Sequence, residues 1–167
     1  MADQPAVAAE QGPVLTIEKV YLKDCSLEVP NAPQVFLEEV QPQIDVQMGT
    51  QAQQIADGLF ESTLIVTVTA KVGEKTLFLC EVKQSAIFQI RGFGQEEMGA
   101  IIGIGCPTTI FPYAREAVSN LVNRAGFPPI NLAPVSFEAL YMQQMQQQQG
   151  QAGSNGAASG PKIEIAR

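Results

Sequence analysis

The sequence LFESTLIVTVTAKVGEKTLFLCEVKQSAIFQI, residues 59–90, decides the fold because it reads as two strands joined by one tight turn. In residues 59–72 apolar side chains alternate with glutamate and threonine, which is the period of a strand buried on one face. Residues 76–90 show the same alternation, and Gly73-Glu74 supplies the turn between the two segments. The stretch therefore predicts an antiparallel β-hairpin with one apolar face.

Two further strands are predicted before the hairpin. Residues 40–48 alternate between apolar and polar side chains, and Pro42 within them indicates a sheet edge because proline lacks a backbone N–H. Residues 15–29 also favour a strand, but their apolar positions change phase along the segment. Such a change indicates a bulge or a twist between two environments.

Helical spacing replaces alternation after the hairpin. Apolar residues recur every three or four positions over residues 110–125, with Thr108 or Thr109 as the candidate cap and Gly126 at the end. A second helix is predicted from Ser136, and it presents a stripe of Phe137, Leu140, Tyr141 and Met145. Four strands followed by two helices predict an α+β domain with an antiparallel sheet.

Length and composition fit one folded domain between two tails. The chain has 167 residues, 46% of them hydrophobic, which is enough to bury one core. Residues 1–13 predict a flexible arm, residues 14–149 the domain, and residues 150–167 a flexible tail rich in Gly, Ala, Ser and Gln. That tail ends in Pro-Lys-Ile-Glu-Ile-Ala-Arg. The acidic N-terminus and the lack of any apolar run of about 18 residues predict a soluble cytoplasmic protein.

The composition excludes several classes of catalysis. Without histidine, serine–histidine triads, cysteine–histidine pairs and histidine–zinc sites are ruled out. Cys25, Cys80 and Cys106 are too widely spaced for a CxxC motif and are predicted to be reduced core thiols. Gly92-Phe93-Gly94 is not a dinucleotide fingerprint, because Glu97 stands where the third glycine is needed. We therefore expect no enzymatic activity, cofactor or metal. The net charge of −7 disfavours nucleic acid and anionic membrane surfaces, and the lack of a long apolar run predicts no stable membrane insertion.

Binding of another macromolecule is the function that the remaining features favour. Asp24, Glu28 and Glu81 are acids within strands, and they form either a patch for a basic partner or ordinary solubilising charge. A second set of residues, on the proline-marked strand and the last helix, is either ordinary core or surplus apolar surface for an oligomer or an apolar ligand. This set is Ile44, Val46, Met48, Phe137, Leu140 and Tyr141.

Four groups of short motifs occur in an order that is typical of one protein family. They are Pro30-Asn31-Ala32-Pro33 with Phe36, Phe78-Leu79-Cys80-Glu81-Val82, Cys106-Pro107 with Phe111-Pro112-Tyr113-Ala114-Arg115-Glu116, and Phe127-Pro128 with Asn131-Leu132-Ala133-Pro134-Val135. From about residue 15 to residue 149, the chain resembles the SecB family of bacterial protein-export chaperones. The resemblance covers everything except the two tails.

The resemblance implies a four-stranded antiparallel sheet with two helices, assembled as a homotetramer that is a dimer of dimers. It further implies an ATP-independent cytoplasmic chaperone that holds unfolded secretory preproteins and delivers them to the SecA motor. The SecA-binding positions of the family fall on Asp24, Glu28, Leu79 and Glu81. The preprotein-binding positions fall on Ile44, Val46 and Met48 and on the last helix around Tyr141, with Phe137 and Leu140.

Two departures from the family pattern bear on these implications. Val40 stands where members often carry tryptophan, which implies a weaker aromatic subsite. The end of the chain lacks the acidic character common in the family, so the resemblance assigns no SecA contact to residues 150–167. The alternative function is a SecB-like holdase without an export role, either general or acting on a toxin–antitoxin pair, and SecA binding discriminates between the two.

Overall fold

A computed structural model of the chain describes residues 12–38, 41–151 and 163–166. Most of the predicted N-terminal arm, residues 1–11, lies outside the described residues, as do residues 152–162 and 167 of the predicted tail. Val40 also lies outside them. The predicted limits of the domain, at residues 14 and 149, therefore stay a prediction.

One antiparallel sheet of five strands forms the larger part of the fold. The strands are β1 (Val14–Glu28), β2 (Gln43–Ala56), β3 (Leu59–Val72), β4 (Lys75–Arg91) and β5 (Ile163–Ala166). Their order is β1-β4-β3-β2-β5. The four-stranded antiparallel sheet is confirmed, including the hairpin of β3 and β4. Gly73 in its turn has a φ of 57°, a conformation that glycine adopts without steric cost.

The irregularities predicted for the two outer strands have different outcomes. The register of β1 against β4 shifts between Ile17 and Lys19 and again between Leu22 and Asp24, so the predicted bulge is present twice. The predicted start of β2 is wrong, because the strand begins at Gln43 and Pro42 precedes it. Proline has no N–H to donate to the ladder, so pairing starts after it.

The C-terminal strand β5 differs from the flexible tail predicted for residues 150–167. It pairs antiparallel with β2 on the side that β3 leaves free. The physical reason lies in the segment Ile-Glu-Ile-Ala, which has the alternation and β-branched residues of a strand. An edge such as that of β2 offers unpaired backbone groups to any segment of this kind.

The helices follow the sheet. The segment from Gln95 is helical throughout: α1 (Gln95–Ala100) leads through a π-helical turn (Ile101–Gly105) into α2 (Cys106–Arg124). After a connection, α3 (Phe137–Gln151) follows, and a 3-10 turn (Gln34–Leu37) lies between β1 and β2. The two predicted helices, α2 and α3, are confirmed.

The predicted cap at Thr108 or Thr109 is wrong. Both residues lie inside α2, and their hydroxyls donate to the carbonyl oxygens of Ile104, at 2.6 Å, and Gly105, at 2.9 Å. A threonine hydroxyl that bonds to the preceding turn occurs within helices as well as near their ends. The two threonines therefore do not mark the start of the helix, which begins before them at Cys106.

Gly126 ends α2 as predicted and directs an aromatic cluster. It has a φ of 90°, and the next N–H, of Phe127, donates to the carbonyl of Val122 at 3.3 Å. This turn places the ring of Phe127 4.9 Å from that of Phe78 and 5.3 Å from that of Phe36. The three rings join α2, β4 and the 3-10 turn.

Alternation along β3 and β4 gives the sheet two faces. The inner face packs against α2 through buried side chains, among them Leu64, Val66, Val68, Phe78, Cys80, Val82 and Phe88. The outer face carries the intervening residues, among them Glu61, Thr63 and Thr67 of β3 and Leu79, Glu81 and Lys83 of β4.

The three cysteines divide between core and surface. All three are free thiols. Cys80 and Cys106 are buried as predicted, and burial raises the pKa of the two thiols to about 11 and about 12. Both thiols are therefore protonated at neutral pH. The prediction of a core position for Cys25 is wrong, because it lies on β1 and is exposed.

Candidate binding faces

The four residues predicted to bind SecA lie together on the outer face. In the register of β1 and β4, Glu28 lies opposite Leu79, Ser26 opposite Glu81 and Asp24 opposite Lys83. Directly opposed residues of an antiparallel pair share a face, and so do residues two positions apart on one strand. Two strands that are distant in sequence thus gather three acids around one leucine.

A lysine that sequence analysis missed lies between two of these acids. The Lys83 ammonium lies 3.0 Å from an Asp24 carboxylate oxygen and 3.5 Å from one of Glu81, and the hydrogen bond to Asp24 raises the pKa of Lys83. Thr67 donates to Glu81 at 3.3 Å. The signal was present, because Lys83 follows Glu81 by two residues and shares its side of β4. The face therefore keeps an acidic excess with one internal cation.

A fourth carboxylate, that of Glu61 on β3, lies further along the outer face and accepts hydrogen bonds from β1 and β2. Lys23 of β1 donates to both of its oxygens, at 2.8 and 2.9 Å, and Gln53 of β2 donates at 2.7 Å. The Tyr21 hydroxyl also donates to it. Hydrogen bonds from Lys23 and Tyr21 lower the pKa of Glu61, while burial and the bond to Glu61 raise the pKa of Tyr21 to about 12. Glu61 is therefore a structural anion and faces little solvent.

Replacing Glu61 with glutamine is expected to destabilise the fold in a pH-dependent way. At neutral pH the free energy of unfolding should fall by about 2 kcal/mol, because three donors lose their ionised acceptor. The Glu61 pKa lies below its ordinary 4.5, so its contribution is present above that pH and is lost as the pH falls through the lowered value. Urea unfolding of both proteins at several pH values measures this, and a difference that persists unchanged into acid would contradict it.

The predicted preprotein-binding residues of β2 lie on the inner face. Ile44, Val46 and Met48 lie opposite Ala70, Val68 and Val66 of β3, which are fully buried. Ile44 and Val46 are half-buried, whereas Met48 is only 5% exposed. The stripe therefore continues the core outward to the edge of the sheet.

The predicted residues of α3 lie on its first two turns. The ring of Phe137 packs 5.9 Å from that of Phe111 in α2, and only 4% of Phe137 is exposed. Tyr141 lies against the π-helical turn so closely that a Cβ on Gly103 would approach its ring to 2.4 Å. Leu140 is half-buried. Leu140, Phe137 and the β2 stripe belong to one hydrophobic cluster, in which Met48 and Phe137 are core side chains.

Several of the exposed apolar residues that sequence analysis did not assign lie on β1 and on the 3-10 turn. On β1, Leu15, Ile17 and Leu22 are about half exposed, because α2 covers β3 and β4 instead. On the 3-10 turn, Phe36 is half exposed and Leu37 is 85% exposed. The many apolar residues within residues 15–29 could have indicated exposed apolar area on β1. The sequence of this segment alone does not show that α2 covers β3 and β4 instead.

Two further observations concern the described part of the chain alone. There, no group of three or more histidine, cysteine, aspartate or glutamate residues is placed to hold a metal ion. None of its helices combines the length and the apolar character that crossing a membrane requires.

Comparison of the sequence with those of known proteins shows similarity to one family over most of the chain. A sequence profile described as "Preprotein translocase subunit SecB" matches residues 8–148. A protein-export protein SecB of Chromobacterium violaceum is 63% identical over 139 residues, which are 83% of this chain and 93% of that protein. One of Methylobacillus flagellatus is 51% identical over 159 residues, which are 95% of this chain and 99% of that protein.

A solved structure shows the same fold at lower identity. It is a SecB-like chaperone of Mycobacterium tuberculosis in complex with a ChAD peptide from the HigA1 antitoxin. It is 18% identical, has a TM-score of 0.61, and the match covers 73% of this chain and 91% of that chain. From the profile that spans most of its length and from relatives at 51 and 63% identity, the chain belongs to the SecB family.

Proposed function

We propose that this chain is an ATP-independent chaperone that holds unfolded preproteins in the cytoplasm and delivers them to the SecA motor. The observation that carries the proposal is the gathering of Asp24, Glu28, Leu79 and Glu81 on one face of β1 and β4. Membership of the SecB family supports it, since the relatives are named protein-export proteins. A chaperone of this kind binds and releases without covalent chemistry, so we propose no enzymatic activity.

The outer face suits a basic partner with an apolar contact. Its acids attract positive charge over several ångströms and speed the encounter, while Leu79 offers area that is removed from water on docking. Lys83 holds Asp24 and Glu81 in place by its two ion pairs. A basic segment of SecA would compete with Lys83 for these carboxylates, which makes binding sensitive to salt.

The inner face and its edge suit unfolded chains. Ile44, Val46, Leu140 and Tyr141 are the partly exposed members of the predicted preprotein site, and each apolar side chain buried there would contribute about 1.5–3 kcal/mol. Only part of this survives as binding energy, because ordering the client costs entropy. Met48 and Phe137 are buried, so they would pack beneath these residues and could contact a client only after a rearrangement.

Self-association into a homotetramer, a dimer of dimers, is part of the proposal. Leu15, Ile17 and Leu22 expose apolar area on a strand at the edge of the sheet, which favours a second copy as its cover. Repetition of the client site over four chains would raise avidity for long polypeptides without demanding sequence specificity.

The test is to mix the protein with an unfolded preprotein and, separately, with SecA, both without nucleotide, and to measure masses by light scattering. The free protein should have the mass of four 17.9-kDa chains, and both mixtures should form larger complexes. Binding of the preprotein without SecA would favour the alternative, a general or toxin–antitoxin-associated holdase. Failure to bind either would overturn the proposed function.

A further inference from the structure

The last strand of the chain lies on the edge that carries the predicted client-binding stripe. β5 pairs antiparallel with β2, with Val46 opposite Ile165 and Met48 opposite Ile163. The four residue pairs cover only residues 45–48 of β2. Among the described residues, positions 49–56 of that edge have no partner. The covered stretch is therefore the stretch to which client binding is assigned.

The sequence of the tail singles out the same segment. After Met145 the chain carries no large apolar residue other than Ile163 and Ile165. These two alternate with Lys162 and Glu164, which is the pattern of an extended peptide with one apolar side. A segment of this composition is not needed to keep a tail soluble. Its alternating isoleucines instead resemble an extended apolar segment of an unfolded client.

Edge strands bind extended peptides by a general mechanism. The backbone of the added strand supplies hydrogen bonds that any sequence can make, and its alternate side chains supply the apolar contact. An unfolded preprotein and β5 would use the same backbone groups of β2, so one excludes the other. The pairing of β5, over four residues, is short beside that of β3 with β2, which extends over the length of both strands.

We propose that β5 is a built-in competitor of the client, and that extended client segments bind to β2 by replacing it. The inference rests on the proposed function, because it names the occupant of the same client site. In the free chaperone β5 covers an aggregation-prone edge, and it yields that edge to chains that can form a strand. A folded protein without a free extended segment would leave β5 in place.

With competition of this kind, the apparent affinity for the client is the affinity of the open edge multiplied by the fraction of time that the edge is free. An edge that is open about one tenth of the time weakens binding about tenfold, and removing the competitor restores that factor. Replacing Ile163 and Ile165 with serine in the full chain removes the apolar side of β5. Replacing Lys162 and Glu164 with serine is the matched control, because it alters two residues of the segment, keeps both isoleucines and leaves the net charge unchanged.

The experiment measures the Kd of reduced, carboxyamidomethylated α-lactalbumin, a permanently unfolded probe, for the three proteins. The isoleucine variant should bind about tenfold more tightly than the unaltered chain, and the control should agree with the unaltered chain within about twofold. Hydrogen exchange supplies a direct readout. The amides of β5 that donate to β2, which are alternate residues of the segment, should be protected in the free protein and should exchange freely once the probe saturates it.

The inference alone would be overturned by an unchanged Kd in the isoleucine variant, or by protection of the β5 amides that persists with the probe bound. Exchange at the free rate before any probe is added would also overturn it. If none of the three proteins bound the probe, the proposed function itself would fail, and the inference with it. Binding with equal affinities therefore separates the two failures.

Discussion

Replacing Glu81 with lysine is expected to weaken SecA binding about 100-fold while leaving the fold and client binding intact. Glu81 lies on the outer face, opposite Ser26 and two residues from both Leu79 and Lys83. The new lysine would place two cations beside Asp24, so a basic partner would meet repulsion where it now meets an acid. The site is partly exposed, so the longer side chain can extend into solvent without disturbing the core.

The matched control is Asp57→Lys, which changes the net charge of the protein by the same amount. Asp57 is an exposed residue of the β2–β3 turn, and about eight residues of strand, roughly 26 Å, separate that turn from the level of Glu81. Titration of SecA at two salt concentrations measures both effects. A control that loses SecA binding as strongly as Glu81→Lys would show that net charge, and not this face, determines the affinity.

Replacing Phe78 with alanine is expected to lower the free energy of unfolding by about 3–5 kcal/mol. Phe78 is 2% exposed, its ring packs 4.9 Å from that of Phe127, and its removal would leave a cavity between β4 and the end of α2. Such a loss is a large fraction of the stability of a domain of this size. Circular dichroism during urea unfolding measures it, at one fixed chain concentration because association also stabilises the folded state.

Phe36→Ala is the control for this second prediction. Phe36 also packs against Phe127, with the ring centroids 5.3 Å apart, but about half of Phe36 is already exposed. Its truncation should cost about half as much, because less area returns to water and the gap opens to solvent. A loss for Phe36→Ala equal to that for Phe78→Ala would mean that burial of the ring does not determine its contribution to stability.

The hairpin could be predicted from sequence because its information is local. Alternation fixes which side of β3 and β4 is buried, and a glycine in the turn fixes where the chain reverses. The pairing of β1 with β4 is not local, because Asp24 and Lys83 are 59 residues apart in sequence. Two bulges in β1 also shift the register of the two strands. The face that each acid occupies was therefore predictable, whereas the ion pair of Lys83 with Asp24 was not.

Two other differences have the same origin. The segment that forms β5 is four residues long, and its partner lies more than one hundred residues earlier, so only the assembled edge of β2 reveals it. The start of the helical region was hidden because Thr108 and Thr109 look like caps, although their hydroxyls bond within the helix. Short signals with distant or ambiguous partners are decided by tertiary packing.

The one-residue alternation of β4 has a consequence for the order of events in export. Leu79 and Glu81 lie on the outer side of β4 and Cys80 points into the core, whereas the client-binding stripe of β2 lies on the inner side, so the sheet separates the two proposed roles. A preprotein held by the β2 stripe and a motor seated on the outer face of β1 and β4 would use different residues of the chaperone. The preprotein, the chaperone and SecA would then form one ternary complex, and docking of SecA would not by itself displace the preprotein. Docking of the motor and release of the preprotein would then be separate steps.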